Sequence, residues 1–260
     1  MCSGYCADRY FRTPSSSRKL GYAMSRTRLS LIFSVALAAG ALGVGPGAAL
    51  AAPAAECTGT LSGGTSGSLR VPDGATCTLD GVTVEGMIKV GDGATLLTDE
   101  STISMNVMGR DAASVQLIDT VVLGEINLQR TSGAIVIGPE GCAVDPIADG
   151  NIVLINNDGT IAVCFMTLRN LIVQGNSKRI GLFSNVVSND LIVTQNTGRA
   201  IRIRDNEVGR NILVTQNTSW KLIGVRDNTV TGNIRCTGNA VDPSVAGNTV
   251  GGAYLGQCAL

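Results

Sequence analysis

The chain has 260 residues, of which 33 are glycine and none is histidine, and its formal net charge at pH 7 is zero. The lack of histidine excludes Ser-His-Asp and Cys-His catalysis, zinc sites that depend on imidazole, and histidine proton shuttles. Residues 52–260 alone hold 14 basic and 19 acidic side chains, a net charge of −5, and are long enough for one sizeable domain.

Residues 1–51 are predicted to be an N-terminal extension and signal peptide. Met24, a possible true start, is followed by two arginines and then by an apolar run over residues 31–44. Residues 49–51 read Ala-Leu-Ala, a signal-peptidase pattern, so cleavage is expected after them. A transmembrane anchor is the alternative, which Pro46 and the many small residues disfavour. We therefore expect a secreted or cell-surface protein with no stable membrane anchor after cleavage.

Six cysteines follow the predicted cleavage site and form three pairs in chain order, separated by 20, 22 and 22 residues. An even number in an exported chain indicates disulfides. Sequential pairing is favoured because its spacing matches the repeat described below, although other pairings stay open. Metal binding is the competing interpretation, which the lack of histidine and of any C-x-x-C pair disfavours. The predicted disulfide residues are Cys57, Cys77, Cys142, Cys164, Cys236 and Cys258.

A repeat of 19 to 22 residues runs through the chain. Residues 191–206 and 212–228 are its clearest copies, and both contain TQNT and end in RDN. Weaker copies occur at residues 84–88, 103–107 and 122–126, and residues 141–166 form a longer, irregular unit. A period near 20 residues is typical of a solenoid of stacked units.

Apolar residues recur at every second position within each unit, as Leu191/Val193 and Ile201/Ile203 show. Alternation with a period of two predicts strands, and the intervening Gly, Asn and Asp predict turns. The fold class is therefore predicted to be all-β, a right-handed parallel β-helix of about eight to nine coils. The drifting period disfavours the left-handed hexapeptide form, and parallel crossovers are right-handed. Residues 52–81 are assigned to an N-terminal cap, 82–248 to the β-helix and 249–260 to a C-terminal cap.

Asparagine recurs in three series, each stepping by one period. At a corner, asparagine tolerates a left-handed backbone, and stacked amides can bond one another along the axis, so structural ladders are predicted. The first series is Asn170, Asp190, Asn211 and Asn233; the second is Asn176, Asn196, Asn217 and Asn239; the third is Asn185, Asn206, Asn228 and Asn248. The segment 217–219 also matches a glycosylation sequon, which is weak evidence in an Asn-rich chain.

Four segments carry a resemblance to a known group. NTVTGNI at residues 228–234 and NTVGG at 248–252, with CTGTL at 57–61 and VPDGATCTL at 71–79, resemble exported bacterial right-handed β-helix proteins of the pectin-lyase-like superfamily. The resemblance covers roughly residues 57–258. It implies the fold but no single activity, because the superfamily contains lyases, hydrolases and adhesins.

No catalytic residue, metal or cofactor is predicted. Hydrolases of that superfamily use clustered carboxylates with a Gly-His-Gly segment, and its lyases use a calcium-binding acidic cluster with a catalytic Arg or Lys. The nearest candidates here are Arg204-Asp205 and Arg226-Asp227, which are expected to stack and form salt bridges rather than a catalytic pair. Residues 156–159, Asn-Asn-Asp-Gly, could bind calcium but are predicted to form a turn.

Charge is divided along the chain, since residues 56–166 carry 14 acidic and 4 basic side chains, and residues 167–236 carry 4 acidic and 10 basic ones. The basic half could bind an anionic polymer or drive head-to-tail association. Two sets of outward residues are predicted to occupy equivalent positions in successive coils, Phe183, Arg204 and Arg226 in one set and Arg179, Arg199 and Trp220 in the other. Outward arginines and aromatics could grip a sugar, and the alternative is that these side chains are simply solvated. The ligand-binding candidates are Phe183, Arg204 and Arg226, with Arg179, Arg199 and Trp220, and Arg202.

An outward apolar row of Ile172, Ile192 and Leu213 predicts a self-association surface. The expected function is a secreted structural or binding β-helix that attaches to a cell-wall or extracellular polysaccharide, without catalysis and without a nucleic-acid partner. A polysaccharide lyase or hydrolase with a degenerate site is the first alternative. A solenoid that polymerises through its ends is the second, which disulfides at both ends would disfavour.

Overall fold

The computed structural model describes residues 53–139 and 148–259. Every regular element within these ranges is a β-strand, and the ranges contain no helix able to cross a membrane. The predicted signal peptide and its cleavage site lie outside the described residues, and so does Cys142.

The strands stack into parallel sheets on three sides of a solenoid, and each strand pairs with its counterpart in the next coil. Face 1 is an 11-stranded sheet of Ala55–Glu56, Leu69–Val71, Ile88–Val90, Val107–Arg110, Ile126–Gln129, Ile152–Ile155, Leu171–Gln174, Leu191–Thr194, Ile212–Thr215, Ile234–Thr237 and Tyr254–Gly256. Face 2 is a 10-stranded sheet of Gly59–Ser62, Thr76–Asp80, Thr95–Asp99, Ser114–Ile118, Ile135–Gly138, Ile161–Cys164, Ile180–Phe183, Ala200–Arg204, Leu222–Arg226 and Ser244–Ala246.

Face 3 consists of two-residue strands in two sheets, one of four strands and one of five. The first sheet contains Thr65–Ser66, Thr83–Val84, Thr102–Ile103 and Val121–Val122, and the second contains Thr167–Leu168, Val186–Val187, Glu207–Val208, Thr229–Val230 and Thr249–Val250. A parallel bridge between Val122 and Ala148 lies between the two sheets. Each coil therefore contributes two longer strands and one short one.

The predicted parallel β-helix is confirmed, but the solenoid has about ten turns rather than eight to nine. Pairing already begins with Ala55 opposite Leu69 and Gly59 opposite Cys77, and it continues to Cys236 opposite Gly256. Both segments that the sequence assigns to caps thus contribute paired strands. The right-handed sense of the coil stays a prediction.

One aliphatic core fills the inside of the solenoid. In the coil of the repeated phrase, Leu191, Val193, Ile201 and Ile203 are all 0% exposed. The register keeps the same parity from coil to coil, so Leu191 lies between Leu171 and Ile212. Because a slip of one residue would turn every aliphatic side chain outward, burial of this core fixes the register. The longer unit is absorbed without a slip, since Ile126 pairs directly with Ile152.

Two of the predicted disulfides are present in the described residues. Cys57–Cys77 has a Cα–Cα distance of 5.4 Å, and Cys236–Cys258 has one of 5.1 Å. They connect neighbouring coils at the two ends of the described solenoid. The pairing of Cys142 with Cys164 stays a prediction, because Cys142 lies outside the described residues.

Replacing both Cys236 and Cys258 by serine is expected to destabilise the C-terminal coil by about 2–4 kcal/mol, since the bond restricts the unfolded chain. Each coil contacts only its neighbours, so the loss should stay local. Hydrogen exchange should rise in residues 244–256 and remain unchanged in residues 76–99. The matched variant with serine at Cys57 and Cys77 should show the reverse pattern. Equal exchange changes at both ends in either variant would contradict this expectation.

Candidate functional site

The second asparagine series lies at the corner between face 1 and face 2 and is fully inside the solenoid. Asn176, Asn196 and Asn217 are all 0% exposed. The Nδ2 atom of Asn196 donates to Oδ1 of Asn217 at 2.9 Å and to the carbonyl oxygen of Val173 at 3.0 Å. Its own Oδ1 accepts from the backbone N and from Nδ2 of Asn176, both at 2.9 Å. These amides are used for holding the corner and present no group to a ligand.

The other two series have related roles. At the corner between face 2 and face 3, Asn206 Nδ2 donates to Asn228 Oδ1 at 2.9 Å. The first series lies between face 3 and face 1, is only half-buried and runs in the opposite sense, since Asn211 Nδ2 donates back to Asp190 Oδ1 at 3.0 Å. Asn170, Asn185, Asn233, Asn239 and Asn248 occupy the remaining rungs.

The left-handed backbone at these corners does not belong to the ladder asparagines, which corrects the sequence interpretation. In the second and third series it belongs to the residue before each of them: φ is 56° at Gln195, 55° at Gln216 and 58° at Asp205. The turn places the following amide inside the coil, where its hydrogen bonds offset the cost of the left-handed backbone.

Sequence reasoning missed the two ends of the second ladder. Asn157 begins it by donating from Nδ2 to Asn176 Oδ1 at 2.9 Å, and Gln257 ends it by accepting from Asn239 Nδ2 at 3.1 Å. Asn157 is 19 residues before Asn176, so its spacing was a usable signal. The glutamine could not be found from a pattern of asparagines.

Two weak motifs are explained by the same ladder. Asn217 of the sequon is buried and its Nδ2 donates to Val193 O and to Asn239 Oδ1, so the folded chain does not expose it for glycosylation. Residues 156–159 form a corner in which Asn156 has a φ of 55°, as the turn prediction requires. Residues 53–139 and 148–259 contain no group of three or more His, Cys, Asp or Glu side chains arranged to hold a metal ion.

The outward side of face 2 carries the arginine candidates. Arg202, Arg204 and Arg226 are exposed, and Phe183, Arg204 and Arg226 occupy one row in register. Arg204 Nε lies 3.3 Å from Asp205 Oδ2, and its Nη2 lies 3.0 Å from Asp227 Oδ2. One guanidinium therefore bridges the carboxylates of two successive coils. Arg226 Nη2 donates to Ser244 Oγ.

Phe183 is half-buried rather than available as a flat platform. It packs with Phe165 against Ala162 and Cys164, which are 0% exposed although alternation points them away from the core. This small apolar cluster lies on the outside of face 2, in the coils that precede Arg204. Phe183 therefore marks the edge of the candidate surface and contributes to packing.

Among the large apolar side chains of the described residues, that of Trp220 is the most exposed, and it lies close to the arginine row. Trp220 is 66% exposed, and the guanidinium carbon of Arg199 lies 5.5 Å from the centre of its ring, a cation–π arrangement. Arg199 and Trp220 are both three residues after the second ladder, as predicted, but the strand that follows is one residue out of step, because Ala200 pairs with Leu222 and not with Lys221. The corner of the later coil is therefore one residue longer. Arg179 is exposed one coil earlier.

The apolar row on face 1 is in register as predicted from the spacing. Ile172 pairs with Ile192, and Ile192 pairs with Leu213, and all three are half-buried. Val153 extends the row by one coil. Self-association through this row stays a prediction.

A groove on face 1 of the acidic half was not anticipated. It has a volume of about 560 Å³, and Arg70, Lys89 and Arg110 line it. At its edge, Arg130 Nε donates to Asp111 Oδ1 at 2.6 Å, and this hydrogen bond lowers the pKa of the Asp111 carboxyl below its ordinary value.

No family model, curated protein or solved structure matches this chain. Two charged surfaces could bind a ligand: the arginine row with Trp220 on face 2, and the groove on face 1.

Proposed function

We propose that the protein is an exported β-helix that binds an anionic cell-wall or extracellular polysaccharide through face 2 and does not cleave it. The observation that carries the proposal is the Arg199–Trp220 pair, whose indole is 66% exposed, beside the guanidinium row of Arg202, Arg204 and Arg226. An exposed indole can cover the apolar side of a sugar ring, and guanidinium groups match carboxylate or sulfate groups in charge and shape.

The use of the carboxylates supports binding without catalysis. Asp205 and Asp227 both face the same guanidinium, at 3.3 and 3.0 Å, which favours a structural ion pair. A glycosidase needs two carboxylates about 5–9.5 Å apart with a sugar between them. We also propose that the chain is exported and that it is related to the pectin-lyase-like superfamily. The two end disulfides support export, because such bonds persist in oxidising compartments.

Trp220 is the only tryptophan of the chain, so its fluorescence reports directly on this surface. Titrating the full chain with polygalacturonate is expected to give a saturable spectral change, and neutral dextran should give none. Arg204→Ala should weaken binding about tenfold, since a hydrogen bond to a charged group is worth about 1.5–3 kcal/mol.

Calorimetric titration extends the test to Trp220→Ala, whose fluorescence is lost. Arg235→Ala is the matched control, because it removes the same charge from an exposed position on face 1. Equal affinity of Trp220→Ala, Arg204→Ala and the unmodified chain would remove the proposal.

A further inference from the structure

The groove on face 1 brings three basic side chains together with two carboxylates, Asp73 and Asp92, in an otherwise acidic region. Residues 56–166 hold 14 acidic but only 4 basic residues, and three of those four, Arg70, Lys89 and Arg110, line the groove. They come from three successive coils. Arg70 lies directly opposite Lys89 in the parallel sheet, and Arg110 lies two positions beyond Met108, which is the partner of Lys89 in the next coil.

The ion pairs of these four residues differ. The fourth basic residue, Arg130, is paired with Asp111, and Arg70 lies 3.7 Å from Asp73 and 4.0 Å from Glu56. Lys89 and Arg110 are exposed and form no salt bridge with any residue of 53–139 or 148–259. Arg70 lies opposite Lys89, and the repulsion between these like charges is offset at Arg70 by its two carboxylate partners but by no salt bridge at Lys89. The groove thus presents two cations without a salt-bridge partner among the described residues, Lys89 and Arg110, beside Arg70, which already has carboxylate neighbours.

The rest of the groove suits a sugar. Asn127 and Gln129 line it and are held in place, since Gln129 Nε2 donates to Asn127 Oδ1 at 3.1 Å. Amide side chains bind hydroxyl groups as donors and as acceptors. Met87 and Met108 add apolar surface, and Met108 is 43% exposed. Flexible thioethers adapt to an apolar ring face.

We infer that this groove is a second binding site, separate from face 2, and that it takes a short carboxylated oligosaccharide. Lys89 and Arg110 converge on one carboxylate, and Arg70 reaches the next along the solenoid axis. The ligand class rests on the proposed function, whereas the existence of an anion site rests only on the groove. Two sites on different faces and in opposite halves of the chain make the protein bivalent, so it can cross-link two glycan chains.

Methyl-labelled methionine gives a readout that face 2 cannot influence. Met87 and Met108 line the groove, and Met166, which is 1% exposed, is an internal control. Titrating the full chain with trigalacturonate is expected to shift the methyl resonances of Met87 and Met108 saturably and to leave Met166 unchanged. Maltotriose, which is neutral, should shift none of them.

The double variant Lys89→Ala, Arg110→Ala should raise the dissociation constant obtained from the methyl shifts at least about tenfold, because it removes two charge-assisted hydrogen bonds to the carboxylate. It should leave the Trp220 titration unchanged. The control variant Arg169→Ala, Arg210→Ala removes the same charge from exposed positions elsewhere and should keep the full methyl response.

Each result decides one of the two proposals. A Trp220 response without a methyl response would overturn the second site and keep the proposed function. Methyl shifts without a Trp220 response would keep the groove and remove binding at face 2. If hexaglutamate shifts Met87 and Met108 as strongly as trigalacturonate, the ligand class is wrong and the groove is a peptide site. Methyl shifts that survive in the double variant would overturn the assignment to Lys89 and Arg110.

Discussion

Asn196→Ala is expected to lower the free energy of unfolding by about 3–5 kcal/mol, because several buried polar groups lose their partners at a cost of about 1–3 kcal/mol each. The carbonyl oxygen of Val173 loses its side-chain donor at 3.0 Å, and the backbone N of Asn176 loses its acceptor at 2.9 Å. The side chain of Asn176 loses a second bond to the same oxygen. The cost is large because water does not reach this corner.

Urea unfolding, followed by both circular dichroism and Trp220 fluorescence, measures this effect. Thr197→Ala is the matched control, since Thr197 is the next residue and is exposed. Its backbone N bonds Asn176 O in either variant, so it should shift the midpoint little. Two probes are needed because solenoids can unfold coil by coil. Equal midpoints for the two variants would show that the ladder does not hold the fold.

Asn196→Asp separates shape from hydrogen bonding, since it keeps the size of the side chain but replaces a donor by an acceptor. Burial should raise the pKa of the new carboxyl in the folded state. Its folded pKa would then exceed the unfolded value, so the variant is least impaired below the unfolded pKa and loses stability as pH rises. Compared with Thr197→Ala at the same pH, the deficit should therefore be smaller at acidic than at neutral pH.

The sequence predicts the solenoid because its signals are local and repeat. Ile201 and Ile203 alternate with arginines, and one buried core demands the same parity in every coil. The number of turns was underestimated because Gly59–Ser62 is an exposed end strand without alternation. The left-handed residue was misplaced for a similar reason: glutamine is not a typical left-handed residue, and only the amide ladder around Gln195 makes that conformation favourable.

The candidate sites were harder to predict because they depend on register between coils. Arg199 and Trp220 were assigned to one surface, but the spacing alone did not show that their side chains form a cation–π contact. Lys89 and Arg110 belong to successive strands of face 1, but Lys89 pairs with Met108, two residues before Arg110. The two basic residues therefore do not occupy equivalent positions of the repeat, and the repeat pattern does not reveal them. A census of the acidic half finds its four basic residues, but only the stacked sheet shows that three share a groove.

Gly198→Ala is expected to destabilise the protein by about 3 kcal/mol, which is the upper range for forcing a methyl group into filled space. A Cβ atom at Gly198 would lie 1.7 Å from the carbonyl oxygen of Lys178 and 2.4 Å from its carbonyl carbon, in the coil below. Both are backbone atoms, so the clash is relieved only by separating two coils. Gly198 directly follows the TQNT phrase, whereas the next copy has Ser219 in that place.

Gly224→Ala is the matched control, because the same chemical change meets open space. A Cβ atom there would approach only the carbonyl oxygen of Ile201, at 4.0 Å. Removing a glycine from a permitted conformation stabilises a fold by about 0.4–1 kcal/mol through the unfolded chain. Urea midpoints should therefore move in opposite directions, down for Gly198→Ala and up for Gly224→Ala. Shifts of the same sign and size would show that coil separation at this corner is not set by backbone contact.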